Sequence, residues 1–320
     1  MELNPKGGIH IGELSLGTQD LPSALLELLV EFDSCSNSAG VVPQVLEVEC
    51  MERAKRDRQF QVFRPYVYAP VGSPQVSGPV IDVEDVMELV SEAREAQQTK
   101  QNDAGWNIMV HGPLLKLAIH GRPANRNQLV GTSPCTSGAL IKEYLAGSRS
   151  AKMVDFGIFI IPSNDRSPSD AVDAIENLGR ELPCNTINHT DVYCYRDRPL
   201  AITIESKKHH SSHAASAELQ LAMWHGAQWR ILEDLVGRSG GSFDGLPFLP
   251  AVVINGHDWS LAASTRRGID TTLRLGAPFG STSSPLGVFK AVWGLQRLKR
   301  WVEDVFWPWY RENALGVADR

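Results

Sequence analysis

Cysteine is scarce and unpatterned in this chain. Its 320 residues hold five, Cys35, Cys50, Cys135, Cys184 and Cys194. The number is odd and no C-x-x-C occurs, so a disulfide framework and a zinc ribbon are both excluded on spacing. Positive charge is not in surplus. Lys and Arg total 31 against 37 Asp and Glu, a formal net charge of −6. That balance weighs against indiscriminate binding of duplex nucleic acid, which rests on a dominant basic surface, while leaving room for a local basic patch. No stretch approaches ~18 uninterrupted apolar residues, so no membrane span is expected. The opening run MELNPKGGIHIGEL lacks a basic region followed by an apolar one, so no secretory leader is expected. A reducing, cytoplasmic setting is the default. There is no G-x-x-x-x-G-K-[ST] phosphate loop, no internal repeat and no low-complexity tract.

What is present is ordinary for a globular chain, 42% hydrophobic and 21% charged residues, in the usual range for such proteins. Length alone allows one large domain or two small ones. Pro22 to Phe32 reads as a short amphipathic helix with proline in its first turn. Arg64 to Pro79 is rich in Pro, Gly and Ser and reads as a linker. The expected division is therefore a helical extension and linker over 1–79 and a main domain over 80–320. Asp82 to Gln98 carries Val83, Val86, Met87 and Val90 at helical spacing. Trp106 to His120 is mixed, and Pro113 would start or kink a helix there. Lys152 to Ile161 and Pro199 to Lys207 are short apolar runs of β-rich composition. Ser169 to Leu178 reads as a short capped helix between them. Ser211 to Val236 and Ser284 to Tyr310 are long amphipathic helices. Leu249 to Ile254 and Trp259 to Ser264 read as strands paired around an Asn255-Gly256 turn. This order gives an α/β fold, a mixed sheet with helices on its faces.

Charged residues interrupt the two apolar runs at Asp155 and at Glu205-Ser206-Lys207. Strand alternation points Glu205 and Lys207 to one face. If the two strands are neighbours, Asp155 joins them. Two carboxylates are a hard-oxygen set suited to Mg²⁺, and a lysine beside them can stabilise developing negative charge. The plain alternative is a cross-strand surface pair, and E-x-K alone does not decide between the two. Burial of unpaired charge is costly, which favours a functional reason for these positions.

A second group is Glu84, Asp85 and Glu88, where residues three and four apart share a helix face. Such a face is either a solvated first turn, where the dipole favours acids, or a cluster able to grip a guanidinium by forked, charge-assisted hydrogen bonds. His209, His210 and His213 sit in the serine-rich stretch KKHHSSHAAS, which reads as a loop and helix cap. Together with Lys207 and Lys208 it forms an edge that could contact phosphate. Asn188 and His189 read equally as structural or substrate-facing.

The ordered segments SAKMVDFGIFI, INHTDVYCYRDRPLAITIESKK, AELQLAMWHGAQW, LPAVVINGHDWSL and GVFKAVWGLQRLKRWVEDVFWPWY resemble the fungal PD-(D/E)XK nuclease-like domain family. The likeness spans roughly 80–312. Asn107 and His111 fit a segment that precedes the family core. By that resemblance Asp155 and Glu205 match metal-binding acids, Lys207 the catalytic lysine, and Gln220 a polar residue of the following helix. The family often has a glutamate shortly before the W-N pair. Here Asp103 stands there, with Glu92 and Glu95 further off, and the resemblance leaves open which acid completes the site. A nuclease-type fold does not establish a nuclease. The resemblance also implies kinship with arginine-containing cyclodipeptide synthases. Those carry a D-D-x-x-E motif, for which Glu84-Asp85-Val86-Met87-Glu88 is the nearest match, with a glutamate first. The expected partners are then arginyl-tRNA and a second aminoacyl-tRNA, with no obligate protein partner and no required cofactor. The competing expectation is a Mg²⁺-dependent nuclease with Asp155 and Glu205 as ligands. A third is a degenerate nuclease serving as a binding module.

Overall fold

The computed structural model describes residues 8–70, 72–73, 78–135, 137–145, 154–166, 170–207 and 214–317, leaving aside the side chains of 214–217. The histidine-rich strip (His209, His210, His213, with Lys208) and the expected helix cap Ser169 lie outside the described residues.

Strand β1 (Ile9–Glu13) leads into helix α1 (Ser23–Ser36), which begins directly after Pro22 and runs four residues past the expected Phe32. A two-residue strand β2 (Val42–Pro43), helix α2 (Glu47–Ala54) and a second short strand β3 (Tyr68–Ala69) follow, with β2 and β3 pairing in parallel. Helix α3 (Val83–Gln98) starts after Asp82, as its apolar periodicity predicts. Helix α4 (Asp103–Trp106) passes through a wide π-type turn over Asn107–His111 into α5 (Gly112–His120), with Pro113 in the first turn of α5. Strands β4 (Val130–Pro134) and β5 (Phe156–Ile160) come next, then helix α6 (Ala171–Glu181) and strand β6 (Leu200–Lys207). The long helix α7 (Ala214–Ser239) leads to β7 (Leu249–Asn255), β8 (Asp258–Arg267) and β9 (Asp270–Ser281). Helix α8 (Pro285–Trp301) continues through further helical turns to Ala314.

Among the described residues, seven strands form one mixed sheet in the order β1-β9-β8-β7-β6-β5-β4. The parallel pair β6–β7 needs a crossover, and α7 supplies it. On β6, Thr203 Oγ1 lies 2.8 Å from His225 Nε2 of α7, so odd-numbered β6 residues face α7. Helix α8 lies against β9 and α5. Its approach is close: a Cβ at Gly280 would sit 2.5 Å from the Ala291 backbone nitrogen. The β7–β8 hairpin closes on the Asn255–Asp258 pair, so its turn residues are Gly256 and His257, one place beyond the expected Asn255-Gly256. Gly256 takes φ 58° there, a left-handed conformation that glycine adopts at little cost.

Residues 1–79 had the look of an extension. Their described part contributes β1 to the central sheet, parallel to β9. Leu25, Leu28 and Phe32 of α1 belong to the same buried core as Phe279 and Trp293, and Phe32 meets both rings edge-on at 5.1 and 5.7 Å. No described helix is long and apolar enough to cross a membrane.

Candidate functional site

Asp155 and β6 are brought together by the antiparallel pairing of β5 with β6, in register Phe156–Ile204. Asp155 immediately precedes β5, and its backbone N–H donates to the Ile204 carbonyl at 3.0 Å. Its carboxylate then hooks around the end of that pairing. Oδ2 accepts from the Ser206 backbone N–H at 2.8 Å and from the Ser206 hydroxyl at 3.0 Å. Oδ1 accepts from Asn107 Nδ2 at 2.9 Å. The second strand neighbour of this carboxylate is therefore Ser206, the residue between the two that the sequence singles out.

Asn107 is held in turn by the wide turn before α5. Its Oδ1 accepts from Ser206 Oγ at 2.7 Å and lies 2.9 Å from His111 Nδ1. His111 Nε2 lies 2.9 Å from the Gly256 carbonyl. The ring is wholly buried, stacked on Trp106 at 5.5 Å and met edge-on by Trp259 at 5.8 Å. Trp106 of the W-N pair thus fixes the turn that aims Asn107. Both ring nitrogens of His111 face oxygen, and a neutral imidazole has a single N–H. For both contacts to be hydrogen bonds, either the ring is protonated or the Asn107 amide is turned. The turned amide presents NH₂ to His111 and its oxygen to Asp155, which must then carry the proton. Burial pushes the His111 ring down to about 4. It pushes the Asp155 carboxyl up, against the Ser206 and Asn107 hydrogen bonds that pull it down.

Glu205 and Lys207 share the α7 side of β6 with Thr203, by strand alternation. Glu205 is buried, and Lys207, at the strand end, is half-buried. Burial lowers the Lys207 ammonium, opposed by the negative charges of Glu205, Glu218, Asp103 and Asp155. Asp103 also raises Asp155 by like-charge proximity. Of the acids left open by sequence, Asp103 of α4 is the one within electrostatic reach of both Asp155 and Lys207. Glu218 of α7 is a further member that sequence reasoning missed. It stands two residues before Gln220, which is half-buried on the same helix.

A cleft of about 970 Å³ opens beside this cluster. Asp155, Asn107 and Phe156 line one part; Asp85, Glu88 and Glu92 of α3 line another, with Arg122 and Arg126 between the elements. Asp155 therefore shares a cavity with the acidic helix. Glu205 and Lys207 do not line it; they stand on the other side of β6. Asp85 is buried, and Arg122 Nη1 contacts its Oδ1 and reaches Glu88 Oε2 at 3.4 Å. Glu84, named with them from the sequence, points elsewhere. It is three-quarters exposed and pairs with Arg53 at 2.5 Å, because a one-residue step turns about 100° around a helix.

Of the two readings left open for Asn188 and His189, structural or substrate-facing, the structure shows the structural one: both are buried in the core. Asn188 Nδ2 donates to the Tyr195 and Arg198 carbonyls, the latter at 3.0 Å, and its Oδ1 accepts from the Leu200 N–H at 3.0 Å. It clips the loop before β6 in place. His189 is fully buried, edge-on to Trp224 at 4.7 Å.

Mg²⁺ takes oxygen ligands in near-octahedral geometry, usually one or two carboxylates with several waters. Both Asp155 oxygens are already engaged by three donors. Among the described residues, no group of three or more His, Cys, Asp or Glu side chains is arranged to hold a metal ion.

A family model described as PD-(D/E)XK nuclease superfamily matches residues 51–307. No curated protein and no solved structure matches the chain.

Proposed function

The chain belongs to the PD-(D/E)XK nuclease superfamily, and from that premise we propose that its cleft performs aminoacyl transfer from charged tRNA, forming an arginine-containing cyclodipeptide. One observation carries this reading. The cavity that holds Asp155 also holds an acid pair, Asp85 and Glu88, already gripping a guanidinium. A site that selects arginine needs such a grip, and carboxylates supply it by charge-assisted hydrogen bonds.

The chemistry needs no ATP, because the ester of a charged tRNA is already activated. The α-amine of one aminoacyl group attacks the ester carbonyl of the other. A C–N bond forms, the C–O bond to the tRNA ribose breaks, and the ribose oxygen leaves with the proton lost by the amine. Repeating the step intramolecularly closes the six-membered ring and frees the second tRNA. The protein's tasks are to align amine and ester, to stabilise the oxyanion, and to move one proton per step. In this reading Lys207 stabilises the oxyanion across the end of β6, with Glu205 as proton acceptor. Asp155, held by Asn107 and Ser206, orients the amine from the cleft side. Gln220 remains a candidate polar contact on α7. None of these roles uses a metal.

The test is incubation with arginyl-tRNA and a mixture of other charged tRNAs, followed by mass spectrometry for cyclo(Arg-Xaa). Glu205→Gln and Lys207→Ala are expected to lower product formation by about a hundredfold or more. A second reading, phosphodiester hydrolysis, is favoured by the acids Asp103, Asp155, Glu205 and Glu218 gathered around Lys207. Mg²⁺-dependent nicking of plasmid or RNA that is lost in Asp155→Ala, with no cyclodipeptide from any charged tRNA, would establish that second reading and reject the first.

A further inference from the structure

We propose that the Asp85–Glu88 end of the cleft is a guanidinium pocket whose resident occupant is the chain's own Arg122, and that a ligand enters it by displacing that side chain. The identity of the ligand, an arginine or its amide or ester, rests on the reading above. The pocket itself rests on geometry.

Asp85 is only 7% exposed. Arg122 Nη1 engages its Oδ1, while Oδ2 is buried and has no hydrogen-bond partner among the described residues. The same nitrogen also serves Glu88, at 3.4 Å. One corner of a five-donor fork is thus shared between two carboxylates. A buried acceptor left without a donor is a standing cost, and a guanidinium placed squarely against Asp85 would remove it by a two-pronged contact. Arg122 is tethered to the loop after α5 and makes the one-pronged contact instead. Its side chain is 65% exposed, so little packing holds it there. A guanidinium arriving on a free ligand carries no such tether. The cleft offers about 970 Å³ beside the pair, with Leu89, Ile108 and Met109 on its walls for a methylene stem. A lysine ammonium is a compact point donor that cannot span both oxygens in the plane of the carboxylate.

An internal occupant reduces the apparent affinity of any ligand by the fraction of time the pocket is free. Occupancy nine-tenths of the time imposes about a tenfold reduction. Calorimetric titration of L-arginine amide into the full chain, with L-lysine amide as control, measures this directly. Arg122→Ala strands the buried carboxylate. Arg122→Gln, which keeps an amide donor against Asp85, is therefore the reporting variant, accepted only with its melting temperature retained. Expected are about tenfold tighter arginine amide binding in Arg122→Gln than in the parent chain, no comparable gain for lysine amide, and loss of the gain in Asp85→Asn/Arg122→Gln. Unchanged or weaker binding in folded Arg122→Gln overturns the displacement. Undiminished binding in the double variant overturns the location. Gained binding without any cyclodipeptide leaves the pocket standing and removes the synthase reading. Product formation without the gain removes Arg122 as occupant and leaves that reading intact.

Discussion

Asn107 and Ser206 decide what Asp155 can do, and neither carries a charge. Their three hydrogen bonds oppose the burial that raises the carboxyl. Removing the amide in Asn107→Ala is expected to raise Asp155 further, moving its titration, followed by carbon-detected NMR of the carboxyl, to higher pH. An unmoved titration would show that the amide does not reach the carboxylate in solution. The buried histidines make a second prediction. His111 is pushed down to about 4, and His189 and His225 to about 3, chiefly by burial, from an ordinary value near 6.5. Between those limits the unfolded chain binds protons that the folded chain refuses. Stability is therefore full above about pH 6.5 and falls on acidification toward pH 4, with a slope of at most about 4 kcal/mol per pH unit for three rings. Asp155 has the opposite sign: its contribution is present below its ordinary value and lost as pH climbs through the raised one. Urea midpoints at pH 7.5, 6.5 and 5.5 should decline in order, and a flat series would contradict the burial of these rings. Asp155, Glu205 and Lys207 stood out in the sequence because charge inside apolar strands is conspicuous, but the structure lines the cleft with Asp155 and not with Glu205 or Lys207. Ser206 did not stand out, since a serine between them carries no such contrast. Asp103 was visible as a candidate, but only its proximity to Asp155 and Lys207 in the fold separates it from Glu92 and Glu95. Asn188 and His189 stayed ambiguous because polar residues that tie down a buried loop look, in sequence, like residues that meet a ligand.

At the scale of elements, the sequence reading was best where a period persists. Helices α3, α7 and α8 and strands β5, β6, β7 and β8 stand within a few residues of expectation. Strands β1, β4 and β9 were missed. The first two have five residues each, too few for alternation to emerge, and β9 is broken in appearance by Gly276 and Pro278 within DTTLRLGAPFGS. Its partner β8 accommodates this with two register shifts. The contact of β9 with α8 gives a sharp test. Gly280 faces the Ala291 backbone with no room for a Cβ, so Gly280→Ala must push helix and strand apart. A loss of about 1–3 kcal/mol is expected for such overpacking, seen as a lower urea midpoint at unchanged slope. Parent-like stability would mean that α8 does not lie so close. The element that aims the site is the wide turn over Asn107–His111. Such turns interrupt the regular helical ladder and recur at functional sites, and no periodicity in WNIMVHGPLL announces one.

Across the whole molecule, sheet and core tie distant parts of the chain together. Gly8 N–H donates to Asp270 Oδ1 at 2.5 Å, 262 residues away in sequence, and β1 pairs with β9 directly beyond. Helix α1 buries Leu25, Leu28, Leu29 and Phe32 largely against β9 and α8. That architecture has a consequence for how the protein is made. A ribosome adding roughly 5–20 residues per second spends about 13–50 s between completing β1 and delivering the residues that receive it. During that interval the apolar stripe of α1 has no native partner, while the central strands β5 to β8 can already assemble. The N-terminal segment must therefore wait for β9 and α8, so this edge of the sheet closes only after the central strands have been made.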